Sequence, residues 1–143
     1  MSEIITDKLT GKTSAGDVTI TSEGGSATMQ LQQGLAKIFA QINMEDALGI
    51  VGSFGASSFS DNATGDGHTN FTNSMNDTTY MHTGSVITKD GTVAFDVTIA
   101  GGGKASSPYY RHYSTSALSF AIYSVSASYR DEEFCHVIHG DLA

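Results

Sequence analysis

A single cysteine, Cys135, rules out an internal disulfide and any zinc site built from several thiolates. It lies in the apolar run Phe134-Cys-His-Val137 and reads as a small buried hydrophobe. Basic residues are also few: 7 against 15 acidic ones, a formal net charge of -8, and no two of them adjacent. That balance argues against nucleic acid, whose phosphates need clustered Lys and Arg, and it excludes a polybasic membrane anchor. No apolar run approaches the roughly 20 residues that span a bilayer, so no membrane insertion is expected. The opening Met1-Ser-Glu-Ile-Ile-Thr-Asp-Lys8 lacks the charged start and apolar centre of a signal peptide, so assembly in a cytoplasm is expected. Tryptophan is absent, proline occurs once, and charged residues make up only 15% of the chain.

What the chain has instead is glycine, 16 residues of it, and a polar content dominated by Ser, Thr and Asn. At 143 residues it is long enough for one ordinary domain and an appendage. Residues 1–28 read as an extended attachment arm. Asp17-Val-Thr-Ile-Thr21 alternates like a strand, but the arm has too few large apolar side chains to bury a core. It is expected to lie on another chain or to add an edge strand to its own domain.

Residues 29–43 read as one short helix. Leu31, Leu35, Ile38 and Ile42 are spaced four, three and four apart, as in the seam of a coiled coil. Ser26 or Thr28 can cap this helix and Asn43 can close it, while Gly34 weakens it by about 1 kcal/mol relative to Ala. Isoleucine at such positions leans toward three strands, so the helix predicts a homotrimer; the alternative is a helix packed on its own β-domain.

Residues 44–143 read as an antiparallel β-sandwich or jelly-roll-like head, with strand signals about every ten residues. The pattern predicts strands in 48–59, 68–73, 80–87, 92–99, 117–126 and 134–139. A loop is expected over 60–67 and a hairpin turn at Asp90-Gly91. In the clearest core strand, Leu118, Phe120 and Ile122 share one face. The fold class is therefore mainly β.

No arrangement points firmly to catalysis. His136 and His139, three apart on a strand, face opposite sides and cannot share a metal ion without a bend. Asp61, Asp66 and His68 lack the spacing of a calcium loop. There is no Gly-x-Ser-x-Gly elbow, and Gly101-Gly-Gly-Lys104 lacks the length and ending of a phosphate loop. The expectation is a protein with no catalytic residues, metal or cofactor. The candidate receptor-binding residues are Tyr109, Tyr110, Arg111, His112 and Tyr113. Such a cluster offers large contact area at low entropy cost and donors for hydroxyl-rich ligands.

Several segments resemble tail-fibre and related virion proteins of marine tailed bacteriophages, the podoviruses of cyanobacteria and other ocean bacteria. They are Lys8-Leu-Thr-Gly-Lys-Thr-Ser-Ala-Gly16, Val18-Thr-Ile-Thr-Ser-Glu-Gly-Gly-Ser26, Leu31-Gln-Gln-Gly-Leu-Ala-Lys37, Ser57-Ser-Phe-Ser-Asp-Asn-Ala-Thr-Gly-Asp66, Asn70-Phe-Thr-Asn73 and His139-Gly-Asp-Leu-Ala143. The resemblance implies a homotrimeric virion component, assembled in the host cytoplasm. Its arm would dock on other virion proteins, and its head would meet a host cell-surface glycan or protein. A capsid decoration protein or head fibre has the same architecture, and a glycan-acting enzyme is the rival from another class.

Overall fold

The computed structural model describes residues 4–12, 18–21, 24–25, 27–87, 95–100, 113–124 and 128–143. It is mainly β, and the chain divides into two compact units, Met1–Leu35 and Ala36–Ala143.

The first unit holds a small antiparallel hairpin, β1 (Thr19–Thr21) with β2 (Thr28–Gln30), in which Ile20 faces Met29. A four-residue helix α1 (Leu31–Gly34) follows, and the Leu31 N–H donates to the Val18 carbonyl at 2.7 Å. All six strand residues are exposed, as are Ile4, Ile5 and Leu9. The expected strand near 17–21 is present, but the expected helix stops at Gly34.

Beyond it, Ala36–Asn43 forms strand β3, where a helix with a coiled-coil seam is expected from the sequence. The reason lies in the spacing itself. Ile38 and Ile42 are four apart, which suits one helix face and equally one strand face, and Ala40 between them completes a period of two. Ile38, Ala40 and Ile42 are all buried within their own unit, while Leu35 is exposed and Leu31 half-buried. The four residues therefore do not form one helical stripe. Asn43 closes a strand and not a helix: its Oδ1 accepts from the Glu45 N–H at 2.8 Å and the Asp46 N–H at 3.2 Å.

The second unit contains two four-stranded antiparallel sheets. One has the order β4-β3-β10-β7, with β4 (Gly49–Phe54), β7 (Met81–Ile87) and β10 (Glu133–His139). The other has the order β5-β6-β9-β8, with β5 (Ala56–Ala63), β6 (Asp66–Phe71), β8 (Phe95–Ala100) and β9 (Ala117–Ser124). Register partners Ile42↔Phe134, Ala40↔His136 and Ile38↔Ile138 turn one face of the first sheet inward. Leu118, Phe120 and Ile122 do the same for the second, as their alternation predicts. The rings of Phe120 and Phe134 meet across the two layers with centroids 4.5 Å apart. Burying aromatic rings of this size supplies much of the drive for the layers to pack.

The chain passes from one sheet to the other at Gly55, whose φ of 75° lies in the left-handed region. A Cβ there would come within 2.4 Å of the Lys37 carbonyl oxygen, so the crossing needs glycine. The expected loop over 60–67 is much tighter: β5 runs on to Ala63 and β6 starts at Asp66, with only Thr64-Gly65 between them. The C-terminal segment is fastened to residues 74–76, through Asn76 N–H to the Asp141 carbonyl and Ala143 N–H to the Ser74 carbonyl. The Asp90-Gly91 hairpin and the 101–108 loop lie outside the described residues.

Candidate functional site

Strand alternation gives β10 two different sides. Phe134, His136 and Ile138 are buried inside, whereas Glu133, Cys135, Val137 and His139 are half-buried on the outer face. The expectation that His136 and His139 point to opposite faces holds. The expectation for Cys135 does not: its Sγ faces outward, 3.3 Å from the Ser85 Oγ, because Phe134 takes the inward position.

The same parity can be followed across the sheet. Phe54, Phe39, Val137 and Thr83 are register partners on β4, β3, β10 and β7, so they form one row on the outer face. Phe39 is 40% exposed and Phe54 is 66% exposed. Met81, 67% exposed, and Ile87 add apolar surface along the β7 edge. On the β10–β7 side the row is shallow, because Thr83, Gly84, Ser85 and Cys135 are small. An apolar depression of about 190 Å³ opens there, bounded by Phe39 and Val137. Toward one end of the face, the Gln41 amide donates to the Glu133 carboxylate.

Inside the first sheet lies a histidine pair that only the folded register reveals. His82 on β7 and His136 on β10 meet edge to face with ring centroids 5.5 Å apart, and His136 also packs on Phe134 and Phe120. Neither nitrogen of His136 has a hydrogen-bond partner among the described residues. Burial, reinforced by the neighbouring His82, pushes the His136 pKa down to about 3; burial lowers that of His82 as well. At neutral pH this is an uncharged aromatic contact. His136 is fully buried in this contact and His82 half-buried.

Of the five candidate receptor-binding residues, Tyr109, Tyr110, Arg111 and His112 lie outside the described residues. Tyr113 is 37% exposed, bridges to Leu118, and packs on Tyr80 with ring centroids 5.0 Å apart. Tyr80 is itself buried, and its hydroxyl donates to the carbonyls of Ser114 and Ala117. Burial is also what raises its pKa. Tyr113 is thus anchored at the entry to β9 with part of its ring in solvent. Asp61 is exposed and Asp66 buried, so they do not share a solvent-facing loop with His68. Among the described residues no group of three His, Cys, Asp or Glu side chains could hold a metal ion, and no helix is long and apolar enough to cross a membrane.

No family model, curated protein or solved structure matches the chain.

Proposed function

We propose that the chain is a structural protein of a tailed-phage virion, a short homotrimeric tail fibre or spike that attaches the particle to a host surface. The observation that carries this reading is the set of exposed apolar side chains, Phe54, Phe39, Met81 and Ile87, on the outer face of the β4-β3-β10-β7 sheet, which they share with Gln41, Glu133, Thr83, Ser85 and His139. A water-facing sheet normally alternates toward polar side chains, and a contiguous apolar surface on a small domain marks a place where another protein packs. A subunit of a virion assembly has such neighbours by construction. The resemblance of the arm and head segments to marine phage virion proteins supports the same conclusion.

In this reading residues 1–28 dock the subunit on tail or capsid proteins, and the β-head turns residues 109–113 toward a host glycan or protein. Three copies in one fibre raise a weak contact per head into firm attachment through avidity alone. The jelly-roll-like strand order and the extended course of the arm belong to this proposal. Leu31, Leu35, Ile38 and Ile42 no longer serve as its trimer seam, since Ile38 and Ile42 fill the head's own core.

The test is immunogold labelling of particles that carry this chain, with an adsorption assay in which purified protein competes for host cells. Gold at the tail tip and competition for adsorption support the fibre. Gold over the shell without competition moves the chain to capsid decoration. Unlabelled particles remove the virion reading.

A further inference from the structure

We propose that acid releases the edge strand β7 from β10, with the His82–His136 pair as the trigger, and that the release uncovers the Phe134 ring while the rest of the head stays folded. This holds whether or not the chain is a fibre.

β7 is hydrogen-bonded to β10 alone, along seven register pairs from Met81↔His139 to Ile87↔Glu133. Its side chains add little to that ladder. Five of its seven residues are exposed, and only His82 and Val86 are half-buried. β3, on the other side of β10, has five of its eight residues buried. A strand with so few buried side chains opens at a lower free energy than the core does. Gly84 contributes no side chain, and the Phe134 ring lies so close to it that a Cβ there would come within 2.6 Å. Lifting β7 therefore bares Phe134.

The trigger sits at the join. His136 has Gly84 as its register partner on β7, so the ring that β7 lays against it is that of His82, with centroids 5.5 Å apart. His82 Nε2 and both nitrogens of His136 are buried and meet no hydrogen-bond partner among the described residues. A proton added to either ring is thus poorly accommodated while the strand is closed. The side chains that face the pair are Ala40 on β3, Phe134 and Ile138 on β10, and Phe120 on β9, none of them titratable. Glu133, Cys135 and His139 lie on the outer face, and Lys37 has the parity of outward Phe39. Asp66 pairs with Ala121 and so has the opposite parity to Phe120. Glu132 stands four residues before His136, about 13 Å along the strand direction. Tyr80 commits its hydroxyl to the carbonyls of Ser114 and Ala117.

Burial, with the neighbouring His82, holds the closed-state pKa of His136 at about 3, and burial lowers that of His82. Once β7 lifts, both rings reach water and regain the ordinary 6.5. Below that pH protons favour the open strand, and above it they do not. The open population grows by up to about 10-fold per pH unit for each histidine.

The experiment is hydrogen exchange read by mass spectrometry on the full chain between pH 7 and pH 4, with labelling times scaled for intrinsic exchange. Peptides covering β7 are compared with peptides covering β9 in wild type, His82→Phe and the His82→Phe/His136→Leu double variant. β7 should exchange at least about 10-fold faster than β9 at every pH. From pH 6 to pH 4 its protection should fall by about 100-fold or more. His82→Phe should shrink that fall, and the double variant should retain most of its protection at pH 4. Circular dichroism at pH 7 checks the fold; if the double variant does not fold, the shrinkage in His82→Phe alone decides. Equal protection of β7 and β9 would overturn the proposal, because the head would then open only as one unit. So would an acid loss in β7 that the substitutions leave unchanged.

Discussion

The β4-β3-β10-β7 sheet and the β5–β6 half of the other sheet present different outer surfaces to water. On the β5–β6 side the outward residues are Ser58, Ser60, Asn62, His68 and Asn70, and they satisfy one another. The Asn70 amide donates to Ser58 at 2.9 Å and to Ser60 at 3.5 Å, and Asn62 pairs with His68 at 3.2 Å. On the β4-β3-β10-β7 side the corresponding positions hold Phe54, Phe39, Val137, Met81 and Ile87, with Thr83, Ser85 and His139 among them and one amide–carboxylate bond toward an end. Both sheets bury equivalent inner faces, so the difference does not come from the core. A polar ladder of short side chains is complete in water and asks for no partner. An apolar row costs free energy as long as water covers it.

Four perturbations sharpen that contrast, and the largest effect should come from the core that both sheets share. Phe120→Ala removes a ring that stacks on Phe59 and packs on Phe134, and should cost about 3–5 kcal/mol of stability in urea unfolding. A loss of stability well under this range would mean that the layers are not held by this contact.

Acid comes next. The folded-state pKa of His136 lies at about 3, below the ordinary 6.5. The unfolded chain therefore binds a proton in this interval that the folded chain refuses. Its contribution is complete above about pH 6.5, falls as the pH drops, and levels off below about 3, with His82 acting in the same direction. Near pH 4 the loss should be on the order of 3 kcal/mol. His136→Leu should flatten the pH profile of the unfolding midpoint; an unchanged slope would remove the histidine from the account.

The last two perturbations act on the outer surfaces and should separate cleanly. Asn70→Ala strips the polar ladder of its central donor and should lower stability by about 0.5–1.5 kcal/mol without altering native mass. Phe54→Ser should change stability by no more than about 0.5 kcal/mol and yet impair association. If Asn70→Ala dissociates the protein and Phe54→Ser does not, the two faces have been assigned the wrong way round.

Much of the head could be read from residue alternation. Leu118, Phe120 and Ile122 sit at a spacing of two that fits only a strand, and β9 forms there. Ile38 and Ile42 were ambiguous because a separation of four belongs to both helix and strand. The pairing of β3 with β4 and β10 decides the case, and the β10 partners lie about a hundred positions away in the sequence. Cys135 shows the same limit on a smaller scale. Its neighbours announce an apolar strand, but which of two adjacent residues turns inward depends on register. The outer row of Phe54, Phe39, Val137 and Thr83 was illegible for that reason: its members come from four strands, and none is unusual alone. The buried histidine pair is hidden likewise, since His82 and His136 stand 54 positions apart in the sequence.

The most direct test of the account is the native mass of the intact wild-type protein, measured by light scattering across a wide concentration range. The proposed homotrimer predicts a mass near 45 kDa, three times the chain's 15.0 kDa, giving way to smaller species only on dilution. A mass of 15.0 kDa at every concentration would show that this face stays wet in the native protein, and would contradict the claim that the chain is built to assemble.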